Sequence, residues 1–143
     1  MPASPIIDEA LAYWHRIRGA RPMPSRADLN PADIPTLLPF VILVDVLRDP
    51  LDFRYRLIGT EIDRIVHRNY KDIRFSELSD KKRGSAIWQH HEETVATRAP
   101  VRKDLSYHGP DGEVRRVEHC LLPLSSDGST VDILMVAVNI ERG

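Results

Sequence analysis

The sequence predicts an α+β fold in which an N-terminal helix, two strands, several short helices, one longer helix and three further strands follow one another. Two observations carry this prediction. Residues 53–57 alternate apolar side chains with arginines, which is the period-two pattern of a strand with one buried face. Residues 101–140 divide into three strand-like runs at two turn sequences, 109–112 and 125–128, which are rich in Gly, Asp and Ser.

The N-terminal segment has the signals of a helix. Ser4 can cap it, Pro5 suits its first position, and Gly19 is a natural stop. Leu11 and Trp14 lie on its narrow apolar stripe, so the helix must pack on its own domain or on the same helix of a second subunit. We expect these two residues to form a homodimer contact.

A proline-rich connector follows over residues 20–39. Its prolines exclude a long helix or a central strand. Its leucines and isoleucine need burial, so the connector should lie on the core and not act as a flexible linker. We therefore divide the chain into an N-terminal helix and connector, residues 1–39, and a core domain, residues 40–143.

The core domain begins with a hairpin. Residues 40–47 are apolar on both faces and should form an interior strand. The second strand ends at Gly59, and Thr60 caps a short helix. Residues 84–97 suit the longer helix, and the final strand, residues 131–140, is apolar enough on both faces to lie in the middle of the sheet.

Composition excludes several classes of function. The formal net charge is −1, so no overall field attracts nucleic acid or an anionic membrane. No apolar run reaches the about 18 residues of a membrane span, and the N-terminus lacks the pattern of a signal peptide. Cys120 is the single cysteine, which excludes an internal disulfide and favours a reducing compartment. We expect a cytoplasmic protein with no nucleic-acid or membrane partner.

One cluster suggests chemistry, the run from His90 to Glu93 on the longer helix. A zincin motif would need a second histidine one turn after the first, and position 95 is Val95. Adjacent helical residues point about 100° apart, so His90 and His91 are poorly placed to share a metal ion. We predict no metal site, and we find no nucleophile elbow, phosphate-binding loop or dinucleotide fingerprint.

The order of elements resembles that of a PAS domain, a five-stranded antiparallel sheet with helices closing one face; the N-terminal helix is then an addition. In its amino-acid sequence the chain resembles one proteobacterial, mostly single-domain PAS subfamily, first catalogued as a domain of unknown function. The matching segments cover nearly the whole chain in order: residues 13–14 (YW), 21–31 (RPMPSRADLNP), 37–39 (LLP), 53–60 (FRYRLIGT), 74–78 (RFSEL) and 122–125 (LPLS).

The chain departs from that subfamily in one loop. Members usually carry glycines after the first short helix, and here His67 and Asp72 stand in their places. Glycine adopts positive φ without steric cost, and Asp tolerates that conformation better than His. We therefore expect a reshaped loop, where ligand preference could differ.

The resemblance implies a non-catalytic sensor or interaction module of signal transduction, acting through a homodimer or a signalling partner. It also implies a small, mostly apolar pocket for a small molecule between the sheet and the longer helix. Our candidates for its lining are Tyr55, Leu57, Trp88, His91, Leu122 and Met135.

Cofactors are not expected. Haem-binding PAS domains carry their axial histidine on the corresponding helix, which makes haem on His91 an alternative, although such a histidine is more often a hydrogen-bonded core residue. Flavin photochemistry would need a cysteine on the helical side of the sheet, whereas Cys120 lies in a strand and should be a small buried hydrophobe.

Two rival functions stay open. The first is a small isomerase, hydratase or dehydratase in which His91 or His119 transfers a proton with Asp45 or Glu92. A histidine and an acid within hydrogen-bonding distance inside one cavity would favour it. The second is a structural adaptor with a filled core, which a pocket holding only a few waters would favour.

Overall fold

The computed structural model describes residues 5–66, 68–108, 112 and 114–140. Its strands form one antiparallel sheet in the order β2-β1-β5-β4-β3. The strands are β1 (Val41–Leu47), β2 (Asp52–Ile58), β3 (Val101–His108), β4 (Val114–Leu124) and β5 (Ile133–Ile140). The α-helices are α1 (Pro5–Arg18), α2 (Thr60–Val66) and α3 (Ala86–Thr97), and single 3-10 turns lie in the connector and at Phe75–Glu77. The predicted fold class is confirmed, and β1 and β5 are interior strands as predicted.

The two faces of the sheet carry different helices. Helix α3 lies on β3 and β4, whereas α1 packs on β4 and β5. Because side chains alternate along a strand, β4 and β5 serve both layers. We call the side covered by α2 and α3 the helical face and the opposite side the α1 face. Among the described residues, no helix is both long and apolar enough to cross a membrane.

Helix α1 is built into its own subunit. Ile7, Ala10, Tyr13 and Trp14 are buried, and the Trp14 indole N–H donates to the carbonyl of Pro123 over 2.9 Å. Trp14 therefore packs within its own chain, which corrects the expectation that it is available for a dimer contact. Leu11 is half-buried at the edge of the same helix.

The connector lies on the core. Met23, Leu29, Ile34 and Leu37 are buried in the same apolar cluster as the sheet. Its last residues meet the end of β2 at Gly59, where a Cβ atom would overlap the backbone carbonyl of Pro39. This close approach, and not an unusual φ, is the reason why glycine is required there.

A β-bulge changes the direction of side chains along β2. Val44 pairs with Tyr55 and Leu43 with Leu57, so Arg56 is an extra residue with no counterpart among the paired positions of β1. The bulge moves the following residue to the opposite face of the sheet. Leu57 is 40% exposed as a result. The expectation that Leu57 continues the buried alternation of Phe53 and Tyr55 is corrected.

The loop after α2 runs along the free edge of β2. The Tyr55 amide donates to the carbonyl of Ile73, and the Asp72 amide donates to the carbonyl of Tyr55. Asp72 has φ +68°, the left-handed conformation that a glycine adopts easily. Aspartate thus keeps a glycine-like backbone at this position. Ser4, His67 and the turn at 109–111 lie outside the described residues.

Candidate functional site

A cavity of about 510 Å³ lies between the helical face of the sheet and helices α2 and α3. Alternate residues of the three interior strands, β1, β5 and β4, face it, and α2 closes one side. These elements supply most of the apolar wall: Ile42, Val44, Ile62, Val66, Val136 and Val138. The cavity is therefore a product of strand alternation on one face of the sheet.

The mouth of the cavity carries its charged residues. Asp80 and Lys81 stand there, with the Lys81 ammonium 2.9 Å from the Asp80 carboxylate and 4.9 Å from the centroid of the Tyr70 ring. Asp104 and Ser106, on the edge strand β3, complete the exposed rim.

A group of histidines lies at the inner end. His90 Nδ1 and His119 Nε2 are 2.8 Å apart, and His91 Nδ1 is 2.7 Å from the carbonyl oxygen of Ile87. Burial, helped by the neighbouring histidines, lowers the pKa of His119 to about 2. Burial lowers the pKa of His91 to about 4, although its hydrogen bond to Ile87 acts in the opposite direction. Burial and the Lys103 ammonium also lower the pKa of His90.

Aromatic rings support this inner end. The Phe75 ring centroid lies 4.8 Å from those of both Tyr55 and His91. Phe53 lies 4.9 Å from Trp88, which is buried behind the cavity wall. The Trp88 indole N–H has no hydrogen-bond partner within the described part of the chain.

Tyr55 presents a neutral phenol to the cavity. Its side chain is buried, and burial raises its pKa well above the ordinary value of 10.0. Its hydroxyl makes no hydrogen bond to any residue that the structure describes.

Two of the candidate lining residues, Tyr55 and His91, face the cavity. Trp88 lies behind the wall, and Leu57 is turned away by the bulge. Leu122 and Met135 pair across β4 and β5 and are fully buried, but they occupy the α1 face. Their expected position on the cavity is corrected, because the opposite parity of each strand faces it.

The cavity-facing neighbours of opposite parity, His119 and Val136, were not proposed as lining residues. The sequence did contain one indication for His119, because a histidine inside an otherwise apolar strand is buried only where it finds a hydrogen-bond partner. Val136 had none, since β5 is apolar on both faces.

The acids suspected of forming an acid–base pair are engaged elsewhere. Arg54 and Arg56 each lie 3.1 Å from the Asp45 carboxylate. Glu92 faces Arg83 at 3.9 Å. Among the described residues, neither acid forms a hydrogen bond with His91 or His119. The arrangement thus lacks the pair on which the enzymatic alternative depends.

Metal and cysteine chemistry find little support in the described ranges. No group of three or more His, Cys, Asp or Glu residues there is arranged to hold a metal ion. Cys120 pairs with Ala137 on the α1 face, away from the cavity, and burial raises the pKa of its thiol to about 12. A thiol with that pKa is a buried hydrophobe and not a nucleophile.

The chain is similar to known proteins over most of its length. A family model described as a PAS domain matches residues 3–137. No curated protein matches the chain. A Rhodobacter sphaeroides LOV protein is similar with a TM-score of 0.55 and 11% identity, over 70% of this chain and 57% of that chain.

Two further solved structures are similar to a comparable degree. A light-oxygen-voltage domain studied with a flavin analogue has a TM-score of 0.56 and 10% identity, over 78% of this chain and 83% of that one. An RNA-binding light-oxygen-voltage receptor has a TM-score of 0.53 and 14% identity, over 81% of this chain and 35% of that one. The chain thus spans little more than half of the Rhodobacter sphaeroides protein and about a third of the receptor.

Structural similarity at such low sequence identity shows only that the fold is shared. The match to the family model identifies the family. It covers nearly the whole chain, and the sheet order and the helices on the cavity side agree with it. The chain belongs to the PAS domain family, a family of sensor and signalling modules.

Proposed function

We propose that the chain is a cytoplasmic, non-catalytic sensor that binds a small, mostly apolar molecule in its cavity and passes the signal on by association. The single observation that carries this proposal is the cavity of about 510 Å³ with its apolar wall and few convergent polar groups. Ligand pockets typically measure about 300–1,000 Å³ and have this composition.

Both rival functions fit the cavity less well. A structural adaptor needs a filled core, whereas this volume is many times the about 30 Å³ share of one water molecule. An enzyme using a histidine and an acid needs the two within reach. Asp45 and Glu92 are instead engaged with arginines.

Native mass spectrometry of the protein purified from its own host tests the sensor function. We expect the wild type to carry a small molecule and the cavity-filling variant Val136→Phe to lose it. Leu57→Phe adds similar bulk outside the cavity and should keep the ligand. A wild type that carries no added mass, and that no apolar probe stabilises against heat, would count against the proposal.

Association is proposed to use the exposed edge of α1. Of the two candidate contact residues, Leu11 retains accessible surface, while Trp14 is packed on its own sheet. Light scattering at tens of micromolar should show a dimer that Leu11→Arg converts to a monomer. A monomeric wild type would refute this part of the proposal.

Haem on His91 is a second candidate because of one observation. A metal-ligating histidine usually donates its other ring N–H to a backbone carbonyl or carboxylate, and the Nδ1 of His91 is held in that way by Ile87. Titration with hemin decides the matter. A Soret shift that His91→Leu abolishes would support haem, and an unshifted Soret band would exclude it.

A further inference from the structure

Two hydrogen-bonding groups face the inner end of the cavity, Nε2 of His91 and the hydroxyl of Tyr55. Both residues are buried, with exposed fractions of 2% and 5%. The ring centroids of both residues lie 4.8 Å from that of Phe75. A ligand that lies beside Phe75 is therefore within reach of both groups.

The tautomer of His91 follows from its environment. The Ile87 carbonyl oxygen can only accept, so Nδ1 of His91 carries the proton. Burial keeps the ring neutral at neutral pH. Nε2 is then a bare lone pair, and it makes no hydrogen bond to any described residue. His91 offers the cavity an acceptor and no donor.

Tyr55 offers the complementary group. Its phenol stays protonated, because burial holds its pKa far above neutrality. Within the described residues its O–H has no partner, so it is available as a donor. A ligand that covers this O–H without accepting from it would leave a buried donor unpaired, at a cost of about 1–3 kcal/mol, which favours a ligand oxygen at this point.

Two lysines near the cavity are already paired with carboxylates, Lys81 with Asp80 at 2.9 Å and Lys103 with Glu93 at 3.7 Å. His90 and His119 satisfy each other through one hydrogen bond, and their lowered pKa values leave them neutral. The charged residues of the described lining are Asp80, Lys81 and Asp104, and they stand at the mouth. An anion beside His91 would lose its hydration and face the lone pair of its Nε2.

We propose that the cavity selects an uncharged ligand with an apolar body and a hydroxyl group. The hydroxyl donates to Nε2 of His91, and an oxygen of the ligand accepts from the hydroxyl of Tyr55. This proposal rests on the proposed sensor function and names the chemical class that the sensor recognises. It predicts selection for alcohols or phenols over hydrocarbons and carboxylates of the same shape.

A matched set of bicyclic probes tests this selection at pH 7.5: 2-naphthol, naphthalene and 2-naphthoate. We expect calorimetry to show 2-naphthol binding about 30-fold more tightly than naphthalene, the ratio for two net hydrogen bonds of about 1 kcal/mol each. Naphthoate should bind more weakly than naphthol by at least a similar factor.

Variants connect the selectivity to the two groups. Tyr55→Phe removes only the hydroxyl and should lower naphthol affinity several-fold while leaving naphthalene affinity unchanged. His91→Leu should do the same, and Tyr55→Phe keeps the test valid if His91→Leu fails to fold. Tyr13→Phe, on the α1 face, is the matched control and should not alter the ratio.

The two levels of the proposal fail in different ways. If the three probes bind equally, if naphthoate binds best, or if Tyr55→Phe leaves the ratio unchanged, the hydroxyl selectivity is wrong and the sensor function stands. If the folded wild type binds none of the probes, the result contradicts a small-molecule cavity, and the selectivity falls with it.

Discussion

His90 Nδ1 and His119 Nε2 lie 2.8 Å apart, so one hydrogen bond between two neutral imidazoles joins α3 to β4. His119 is buried, while His90 is only half-buried at the cavity wall. One ring must donate and the other accept. The pair therefore anchors the helix to the sheet without introducing a charge into the core.

The buried histidines predict that stability falls as the pH is lowered from 7.5 to 5. Their ordinary pKa is 6.5, and burial lowers that of His91 to about 4 and that of His119 to about 2. Between these values the unfolded chain binds protons that the folded chain does not. The free energy of unfolding should then drop by up to about 1.4 kcal/mol per pH unit for each histidine.

Urea denaturation at pH 7.5, 6.0 and 5.0 measures this dependence. His91→Leu should flatten the slope by removing one contributor, whereas His15→Gln, at an exposed position of α1, should leave it unchanged. A free energy of unfolding that stays constant from pH 7.5 to 5 would show that the histidines are not held neutral.

Gly59→Ala should destabilise the fold by about 3 kcal/mol, the upper part of the range for overpacking. A Cβ atom there would overlap the Pro39 carbonyl and lie 2.8 Å from the carbonyl oxygen of Leu38. Backbone atoms cannot move aside as a flexible side chain can. Chemical denaturation provides the measurement.

Gly128→Ala is the comparison for Gly59→Ala. Gly128 has φ +80° and open space around it, so alanine meets conformational strain alone, about 1–2 kcal/mol. A larger loss at Gly128 than at Gly59 would mean that the connector is not packed as described.

Ser76→Ala should loosen the segment that runs along the edge of β2. The Asp52 carboxylate accepts from the amide of Phe53, from the amide of Ser76 and from the Ser76 hydroxyl. Loss of one hydrogen bond to a charged acceptor costs about 1.5–3 kcal/mol. Hydrogen exchange should quicken at the amide of Ile73 and its neighbours.

Ser129→Ala is the control for this effect, because Ser129 is exposed and its described hydrogen bonds use its backbone. Unchanged exchange in Ser76→Ala would show that Asp52 does not hold the segment. The segment leads to Tyr70 and Lys81 at the cavity mouth, so its loosening should also speed ligand release.

Trp14→Phe should cost more stability than Trp88→Phe, by about 1 kcal/mol. Both changes remove similar buried volume. The Trp14 indole donates to Pro123, whereas the Trp88 indole N–H is buried without a partner among the described residues. Thermal and urea denaturation of the two variants provide the comparison, and equal losses would contradict the role of the Pro123 hydrogen bond.

Local patterns were enough to predict the elements. Alternation at Phe53 and Tyr55, a glycine after β2, and turn sequences between the last strands predicted most of the sheet. Burial of the connector can also be predicted, since exposing its apolar side chains to water would be unfavourable. Resemblance to a PAS subfamily then indicated the arrangement that the sheet order confirms.

The candidate site was only partly predictable. Tyr55 and His91 face the cavity, whereas Leu122 and Met135 lie on the opposite, α1 face. In a strand that is apolar on both faces, the sequence does not show which alternate residues face the cavity, because either set can be buried in a core.

The sequence by itself determined which elements form, their order and the class of fold, because periodicity, caps and turns act over a few neighbouring residues. Only the tertiary structure decided which side chains enclose the cavity. The bulge at Arg56 and the pairing of His90 with His119 depend on contacts between strands and helices far apart in the chain. These contacts determine which face of each strand lines the cavity. Hydrophobicity alone does not distinguish the two faces of a strand that is apolar on both.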